Sequence, residues 1–413
     1  MQTQVLPYLR ELGKNGIEVS LLTFEPDRQK SWPLDEREKW ETALDEQGIE
    51  WHSLPYHKRP SVPATLYDII IGAVVTAMIS REKGVRVLHA RAHISMAMAL
   101  IARMIVKGKV IFDFRGLVAD EYVDAGIWDE GGLVYRGFKL FERYALRMAD
   151  QVVVLTERMK MHLIESGLAC SERIEVIPCC TDFSRFDILP QKTEDRAHTV
   201  DRFTVVYAGS VTGLYLLKEM GRFFLALRKR RGDAFLHVLT SSNHRWARAE
   251  LLDAGLNEKD FEIIAISPAE IPRYLVSADV GLSFRKATFS QTAASPTKVP
   301  EYLAAGIPVV STAGVGDIDE LIQSHHIGVL LDIFDETKVD QAIEKLEQLL
   351  ADPTLPERCR NVAIRHFDLG GVGVARYLSV YYRLKEELGN PPSAGNKPTE
   401  LPESTDIQFF KEG

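Results

Sequence analysis

The chain of 413 residues is long enough for two or three domains, since single domains usually hold about 100–200 residues. Its hydrophobic content of 46% and charged content of 26% are those of an ordinary soluble globular protein. The net charge of −8 disfavours nonspecific binding to polyanions, and we expect no nucleic-acid partner.

Neither a membrane span nor a metal site is expected from the sequence. The longest apolar run, Leu66 to Ile79, holds 14 residues, fewer than the roughly 18 that a span requires. The cysteines show no metal-ligand spacing, and a reduced cytoplasmic compartment is the simplest inference. They are Cys170, Cys179, Cys180 and Cys359.

The chain opens on an amphipathic helix rather than on a strand. Val5 to Lys14 carries apolar residues at helical spacing, and Gly16 separates it from a predicted strand, Ile17 to Phe24. A doubly wound domain begins with a strand and a glycine-rich turn before its first helix. We therefore expect the first strand to be missing, which would leave two open sheet edges.

Strands and helices then alternate through the first half of the chain. The predicted helices Leu66–Arg81 and His93–Val106 alternate with the predicted strands Arg86–Ala90 and Val110–Phe114. This order predicts an α/β fold in which a parallel sheet carries helices on both faces.

Polar residues follow these strands at the sheet edge where ligands bind in open α/β folds. Asp113 and Arg115 close one strand, and His93 follows the strand before it. We interpret the three as candidate catalytic residues, with Arg115 suited to a phosphate or a carboxylate. Two alternatives stay open: a structural network of Asp113 with Arg115, and a helix-cap role for His93.

The second half of the chain opens on a polar stretch, Gln191 to Asp201, which we interpret as a linker. The predicted strand Phe203–Ala208 follows and ends in a turn with two glycines, and the helix Leu214–Arg230 is predicted next. Such a turn before a helix favours the binding of an anion. Its candidate anion-binding residues are Gly209, Ser210 and Gly213.

A basic pair ends a later strand of this half. Arg285 and Lys286 follow the predicted strand Asp279–Phe284, at the sheet edge that binds ligands. Contact of Arg285 with a phosphate is one interpretation, and a solvated pair of side chains is the other.

Residues 295–310 combine a loop, a short helix and a buried strand. Ser295 suits the helix N-cap and Gly306 suits the residue that ends the helix. Lys298 and Glu301 are three residues apart and share one helix face. A lysine at a helix N-terminus suits phosphate oxygens, and a carboxylate one turn later suits sugar hydroxyls. An ion pair between the two is the alternative.

The run Ser-Pro-Thr-Lys-x-x-Glu-Tyr-Leu-Ala-Ala-Gly-x-Pro-Val-Val, residues 295–310, resembles the donor-site segment of glycosyltransferase family 4. The resemblance implies the GT-B fold, with two Rossmann-like, doubly wound parallel-sheet domains facing a cleft. In that family the lysine faces the donor phosphates and the glutamate holds the nucleotide ribose. These roles fall on Lys298 and Glu301.

Together, the positions of these residues and the resemblance give the set of candidate site residues. The donor-binding residues are Gly209, Ser210, Gly213, Arg285, Ser295, Lys298 and Glu301, and the catalytic residues are Lys298, Asp113, Arg115 and His93. The chain departs from the family pattern at Asp113, where many members have histidine, and at Ser210, where an arginine is usual. A third departure is Ala293, where many members have the first of two glutamates.

The implied domain plan has five parts. It consists of an N-terminal acceptor-side domain at 1–190 that lacks its first strand, a linker at 191–202, a donor domain at 203–370, a C-terminal helix at 371–388 that crosses back to the N-terminal domain, and a disordered tail at 389–413.

The implied function is retaining transfer of a sugar from a nucleotide sugar to a glycan or lipid-linked acceptor, without a metal or other cofactor. Cell-surface polysaccharide synthesis in the bacterial cytoplasm is expected, with peripheral contact at the inner face of the membrane. Two alternatives stay open: a sugar-nucleotide epimerase of the same fold, and a non-catalytic chain that binds a partner transferase.

Overall fold

The structure is a computed structural model that describes residues 3–25, 34–57, 59, 61–187, 202–332 and 335–389. The predicted linker, apart from Arg202, and the predicted tail, apart from Gly389, lie outside the described residues.

The N-terminal half contains two parallel sheets. Its strands are β1 (Val19–Glu25), β2 (Ile49–Pro55), β3 (Val87–Arg91), β4 (Lys109–Asp113), β5 (Gln151–Val154) and β6 (Ile174–Val176). The larger sheet has four strands in the order β3-β4-β5-β6, and β1 pairs with β2 in a separate sheet of two strands.

Among the described residues, no strand joins β1 to β3. In the usual doubly wound order, the first strand of the domain lies between the second and the fourth. The two sheets are divided at the position that this order gives to the first strand.

Helices cover both faces of the four-stranded sheet. Alternate strand residues point to opposite faces: Val110 and Phe112 face one apolar cluster, and Ile111 faces another. The crossover helices pack on the first face, whereas the N-terminal and C-terminal helices share the second. The helices of this half are Leu6–Lys14, Leu34–Asp45, Ser61–Lys83, Ala92–Arg103, Val118–Asp124, Leu133–Met148, Glu157–Glu165 and Ser184–Asp187.

The helix Ser61–Lys83 is longer than the sequence predicted. It begins at Ser61, whose carbonyl oxygen accepts a hydrogen bond from the Thr65 hydroxyl, and it continues to Lys83. With 23 residues it is long and apolar enough to cross a membrane by length and composition alone, which corrects the expectation that no stretch would be. Only 28% of its most apolar stretch is buried in the protein.

The C-terminal half is built on one sheet of six parallel strands in the order β12-β11-β10-β7-β8-β9. The strands are β7 (Thr204–Ala208), β8 (Phe235–Leu239), β9 (Phe261–Ile264), β10 (Val280–Ser283), β11 (Val309–Thr312) and β12 (Gly328–Leu331). Separate apolar clusters cover its two faces. The predicted fold class, two Rossmann-like parallel-sheet domains, is confirmed.

The helices of this half are Leu217–Arg230, His244–Asp253, Ile271–Val276, Lys298–Ala304, Ile318–His325, Glu336–Leu350, Leu355–Phe367 and Ala375–Gly389. The last of them packs against the N-terminal domain. Its Arg376 donates to the carbonyl oxygen of Val176 at 2.5 Å, and its Arg383 pairs with Glu175 at 2.7 Å.

Gly281 and Tyr302 determine how closely the helix Lys298–Ala304 packs on the C-terminal sheet. The Tyr302 hydroxyl accepts a hydrogen bond from the backbone N–H of Ala208 at 2.9 Å and donates one to the carbonyl oxygen of Leu282 at 3.1 Å. A Cβ at Gly281 would lie 2.3 Å from the ring of Tyr302. The ring therefore needs a glycine beneath it.

We predict that Gly281→Ala destabilises the C-terminal domain by about 1–3 kcal/mol, because an added methyl in a filled site forces its neighbours apart. The thermal unfolding midpoint measures the effect. Gly232→Ala is the matched control, since a Cβ there meets nothing within 4 Å. Equal midpoints for the two variants would contradict the tight contact.

Candidate functional site

The helix Lys298–Ala304 carries the two charged residues that the sequence singled out. It begins at Lys298, after the predicted N-cap Ser295, and its N-cap Thr297 makes no side-chain hydrogen bond. Pro300 fits this start, because N–H groups in the first helical turn have no partner within the helix. Every residue of the helix is buried, so both charged side chains lie inside the protein.

Lys298 holds its ammonium group between two aromatic rings. Its Nζ lies 4.1 Å from the ring centre of Tyr207 and 4.2 Å from that of Tyr215. The residue is 4% exposed, and Nζ has no hydrogen-bond partner among the described residues. Burial, together with the charge of Arg285, holds the pKa of Lys298 well below its ordinary value, although Glu301 opposes the shift. The ammonium form is therefore disfavoured unless an anion lies beside it.

The turn after β7 brings backbone next to this ammonium. Gly209 has a φ of +133°, and a Cβ there would lie 3.3 Å from the Nζ of Lys298. The N–H of Gly209 is donated to the carbonyl oxygen of Leu239 at 2.9 Å, so it is already engaged. Ser210 is exposed, and its carbonyl oxygen accepts the hydroxyl hydrogen of Tyr207. Gly213 has a φ of +80° in open space.

The helix after this turn starts at Leu217 rather than at the predicted Leu214. The backbone N–H of Lys286 donates to Leu214 at 2.9 Å, and that of Leu216 donates to Phe284 at 3.2 Å. Tyr215 therefore sits opposite Arg285 in an antiparallel bridge. This pairing is long-range, which is why the sequence argument missed Tyr215.

Arg285 brings a second cation to the same tyrosine. Its guanidinium carbon lies 5.0 Å from the ring centre of Tyr215, and its Nε has no hydrogen-bond partner among the described residues. The neighbouring Lys286 reaches the N-terminal domain and donates to the carbonyl oxygen of Asp124 at 3.2 Å. Lys298, Arg285 and Tyr215 thus form one cationic and aromatic cluster.

Glu301 pairs with Arg185 and not with Lys298. Its Oε1 accepts a hydrogen bond from Nη1 of Arg185 at 2.8 Å, and Nη2 of Arg185 donates to the carbonyl oxygen of Pro268 at 2.6 Å. Burial raises the pKa of Glu301, and the charges of Arg185 and Lys298 oppose the rise. Sequence reasoning missed Arg185, which is 116 residues from Glu301 in the chain.

His93 lies in the core of the N-terminal domain. It is 2% exposed, and its Nε2 lies 3.1 Å from Oε2 of Glu142. The rings of Phe112, Phe114 and Phe138 surround it. His93 is not the helix cap, because the helix begins at Ala92 with Arg91 as its N-cap.

Asp113 and Arg115 meet in a buried network, the alternative that the sequence left open. Asp113 is fully buried and accepts hydrogen bonds from Arg91 at 2.9 Å and from the Tyr377 hydroxyl at 3.2 Å, with Arg115 at 3.5 Å. Burial alone would raise the pKa of Asp113, but Arg115, His89 and Arg91 outweigh it and hold that pKa well below its ordinary value. The network ties the C-terminal helix to the N-terminal sheet.

The predicted residues thus separate into two groups. Lys298, Arg285 and Gly209 come together, with Glu301 one helical turn away. His93 and the pair Asp113 and Arg115 contact other groups of the N-terminal domain and the C-terminal helix. Ser295 joins the halves, because its hydroxyl accepts a hydrogen bond from the backbone N–H of Cys179 at 3.0 Å. In the described part of the chain, no three His, Cys, Asp or Glu side chains are grouped to hold a metal ion.

Each half of the chain matches a known protein family. Residues 1–180 match the glycosyl transferase 4-like domain, and residues 191–366 match the glycosyl transferases group 1 domain. The chain belongs to the family 4-like glycosyltransferases. The family resemblance of the sequence is confirmed, and this glycosyltransferase has the GT-B fold that its solved neighbours share.

Solved structures resemble this glycosyltransferase over nearly their whole length. A glycosyltransferase from Rickettsia africae is 16% identical with a TM-score of 0.67, covering 92% of this chain and 94% of the other. Sucrose-phosphate synthase from Thermosynechococcus elongatus is 15% identical with a TM-score of 0.68, covering 92% of each chain. HepE from Anabaena, in complex with UDP and glucose, is 14% identical with a TM-score of 0.65, covering 92% and 95%. No curated protein sequence matches the chain.

We predict that Asp113→Asn destabilises the N-terminal domain by about 3–5 kcal/mol, because it removes a fully buried carboxylate and leaves two partly buried arginines without their counter-charge. A carboxylate with a lowered pKa contributes stability above its unfolded pKa and loses it as pH falls. The difference in the free energy of unfolding between the parent and the variant should therefore shrink below about pH 4. Urea unfolding across pH measures it.

Glu175→Gln is the control for this prediction, because it breaks the partly exposed pair with Arg383 on the same C-terminal helix. Such a pair is worth about 0–1 kcal/mol. A similar loss in both variants would show that Asp113 does not anchor the helix.

Proposed function

We propose that this glycosyltransferase moves a sugar from a nucleotide-sugar donor to a glycan or lipid-linked acceptor, with retention at the anomeric carbon. The observation that carries the proposal is the buried Nζ of Lys298, next to the Gly209 backbone and without a hydrogen-bond partner in the part of the chain that the structure describes. A buried cation of this kind is costly unless a ligand supplies an anion. The complex of HepE with UDP and glucose supports a nucleotide sugar as that ligand.

Lys298 and Arg285 act on the leaving group in this proposal. As the bond from the anomeric carbon to the diphosphate breaks, negative charge grows on the diphosphate oxygens. Two cations in a water-poor site stabilise that charge more in the transition state than in the bound donor. Neutralisation is therefore assigned to side chains, and no metal or other cofactor is proposed.

Glu301 orients the donor. Arg185 holds one oxygen of its carboxylate, which leaves the other to accept hydrogen bonds from the ribose hydroxyls. Ser295 and Gly213 border the donor region. Because the carboxylate is fixed before the donor arrives, it costs little reorganisation at binding.

The acceptor enters from the N-terminal side. The new bond forms on the face that the diphosphate leaves, and the leaving diphosphate takes the acceptor proton, so no side-chain base is needed. In this proposal the acceptor lies near His93, Asp113 and Arg115. We place the reaction in bacterial cell-surface polysaccharide synthesis, in the cytoplasm at the inner face of the membrane.

A thermal-shift screen against nucleotide sugars and nucleoside diphosphates tests donor binding. A selective upward shift supports the proposal and names the base, since a ligand at 100 times its Kd stabilises the fold by about 2.7 kcal/mol. No shift in folded protein would favour the non-catalytic alternative. Nucleotide release without any acceptor, together with an altered sugar, would favour an epimerase.

We predict that Lys298→Ala lowers donor turnover by about 100- to 1000-fold, the usual effect of removing one group that stabilises a leaving or developing anion. Glu301→Ala should also lower turnover strongly, mainly through weaker donor binding. Steady-state nucleotide release measures both. Lys229→Ala, at an exposed lysine of the same domain, is the control. Unchanged turnover in both site variants would overturn the assignment.

We predict that affinity for a nucleoside diphosphate falls as pH rises. The pKa of the free Lys298 ammonium is held low by burial and by Arg285, and a bound diphosphate raises it. Between these two pKa values, binding takes up a proton, so higher pH weakens it. Calorimetry in buffers of different ionisation enthalpy measures the uptake.

Lys298→Arg is the control for this experiment, because a guanidinium stays protonated at every pH used. Ionisation of the ligand phosphate is common to both proteins and cancels in the comparison. Equal proton uptake by parent and variant would show that Lys298 does not titrate on binding.

A further inference from the structure

The helix Leu133–Met148 presents an apolar stripe directly opposite its packed face. Ala145 and Leu146 are fully buried against the sheet, whereas Leu133 is 88% exposed and Leu140 is 67% exposed. Tyr144 and Met148 continue the stripe at the spacing that keeps residues on one helix face. A helix of a water-exposed surface normally carries polar side chains on this side.

The helix Ser61–Lys83 carries a second stripe. Val62, Leu66, Ile70, Val74 and Met78 recur every four residues, and all are exposed. Each of them follows the previous one on the next helical turn. The stripe runs along the same helix that is long and apolar enough to cross a membrane, yet the helix is held in place by buried residues along its other side.

The helix Ala92–Arg103 lies between these two and joins their stripes. It packs on both neighbours and exposes Ile94 and Ile101 along its outer side. Met104, 85% exposed, and Ile105 follow its end. We call the outward side of the three helices the outer helical face. Exposed apolar patches of this extent mark interaction surfaces in proteins that dissolve in water.

The exposed charges of the outer helical face are mostly positive. Two of the three carboxylates of its two outer helices are turned inward: Asp68 accepts a hydrogen bond from the backbone N–H of His57, and Glu142 contacts His93 and Lys139. The exposed charged side chains of these two helices are basic apart from Glu82. They are Arg81, Lys83, Arg136, Arg143 and Arg147.

We propose that the outer helical face docks on the surface of a bilayer that contains anionic lipids. A helix that combines an exposed apolar stripe with flanking arginines is typical of segments that lie in the headgroup layer. Arginine side chains reach lipid phosphates while their apolar neighbours enter the acyl boundary. The net charge of the whole chain is −8, so this basic face is a local feature and not a result of overall composition.

The bilayer fits the face better than a second copy of this chain does. A symmetric interface would bring the arginines of one copy against those of the other, with the face's paired carboxylates buried and unable to offset them. An anionic lipid surface supplies the opposite charge across the whole face. The face is separate from Lys298 and Arg285, so its test is independent of the proposed reaction.

Co-sedimentation with vesicles tests the inference. The full chain should pellet with vesicles of phosphatidylcholine and phosphatidylglycerol, and only weakly with phosphatidylcholine alone. Replacing Arg136, Arg143 and Arg147 together by Gln should lower partitioning to the anionic vesicles by at least about tenfold, since each basic residue near such a surface contributes to attraction. Leu133→Ser with Leu140→Ser should lower it similarly.

A triple Gln variant at Arg222, Arg245 and Arg273, exposed arginines of the C-terminal domain, is the control with the same charge change. Circular dichroism and binding of a nucleoside diphosphate should be unchanged in every variant. Equal loss in the control triple would overturn the inference, because attraction would then follow net charge alone. A lipid-free dimer that the Leu133 and Leu140 substitutions abolish would overturn it in favour of a second copy.

Discussion

The buried ammonium of Lys298 has lost its hydration, and the C-terminal domain has to compensate for that loss. An isolated cation away from water is unfavourable by several kcal/mol unless its surroundings compensate. Here the compensation comes from the faces of Tyr207 and Tyr215, whose rings attract a cation through their quadrupoles. Such contacts replace only part of the lost hydration, so the site keeps a standing preference for an anion.

Close packing around the helix Lys298–Ala304 keeps that ammonium in place. A Cβ at Gly281 would collide with the ring of Tyr302, and a Cβ at Gly209 would lie 3.3 Å from the end of the Lys298 side chain. The hydroxyl of Tyr302 then fastens the helix to two strands of the sheet. The glycine next to the Tyr302 ring and the two hydrogen bonds of the Tyr302 hydroxyl hold the helix close to the sheet.

The sequence predicted the sheets and most helices well because burial imposes the two periods, about two residues for strands and 3.6 for helices. The family resemblance of residues 295–310, and not this periodicity, pointed to Lys298 and Glu301. Sequence reasoning missed Tyr215 because the pairing of residues 214–216 with 284–286 delays the helix start, and no local pattern reports such a pairing. Arg185 is likewise 116 residues from its partner Glu301. The roles of His93, Asp113 and Arg115 stay predictions.

The hydrogen bond of Ser295 with Cys179 has a thermodynamic consequence for the two halves of the enzyme. Cys179 follows the last strand of the N-terminal sheet, whereas Ser295 lies just ahead of the helix that carries Lys298 and Glu301. A rotation of one domain against the other that breaks this hydrogen bond releases the loop that leads into that helix. Ligand binding at Lys298 and the relative orientation of the domains are therefore linked equilibria, and linkage is reciprocal. A molecule that binds the N-terminal half and shifts this orientation changes ligand affinity at Lys298 by the same factor by which that ligand changes its own affinity.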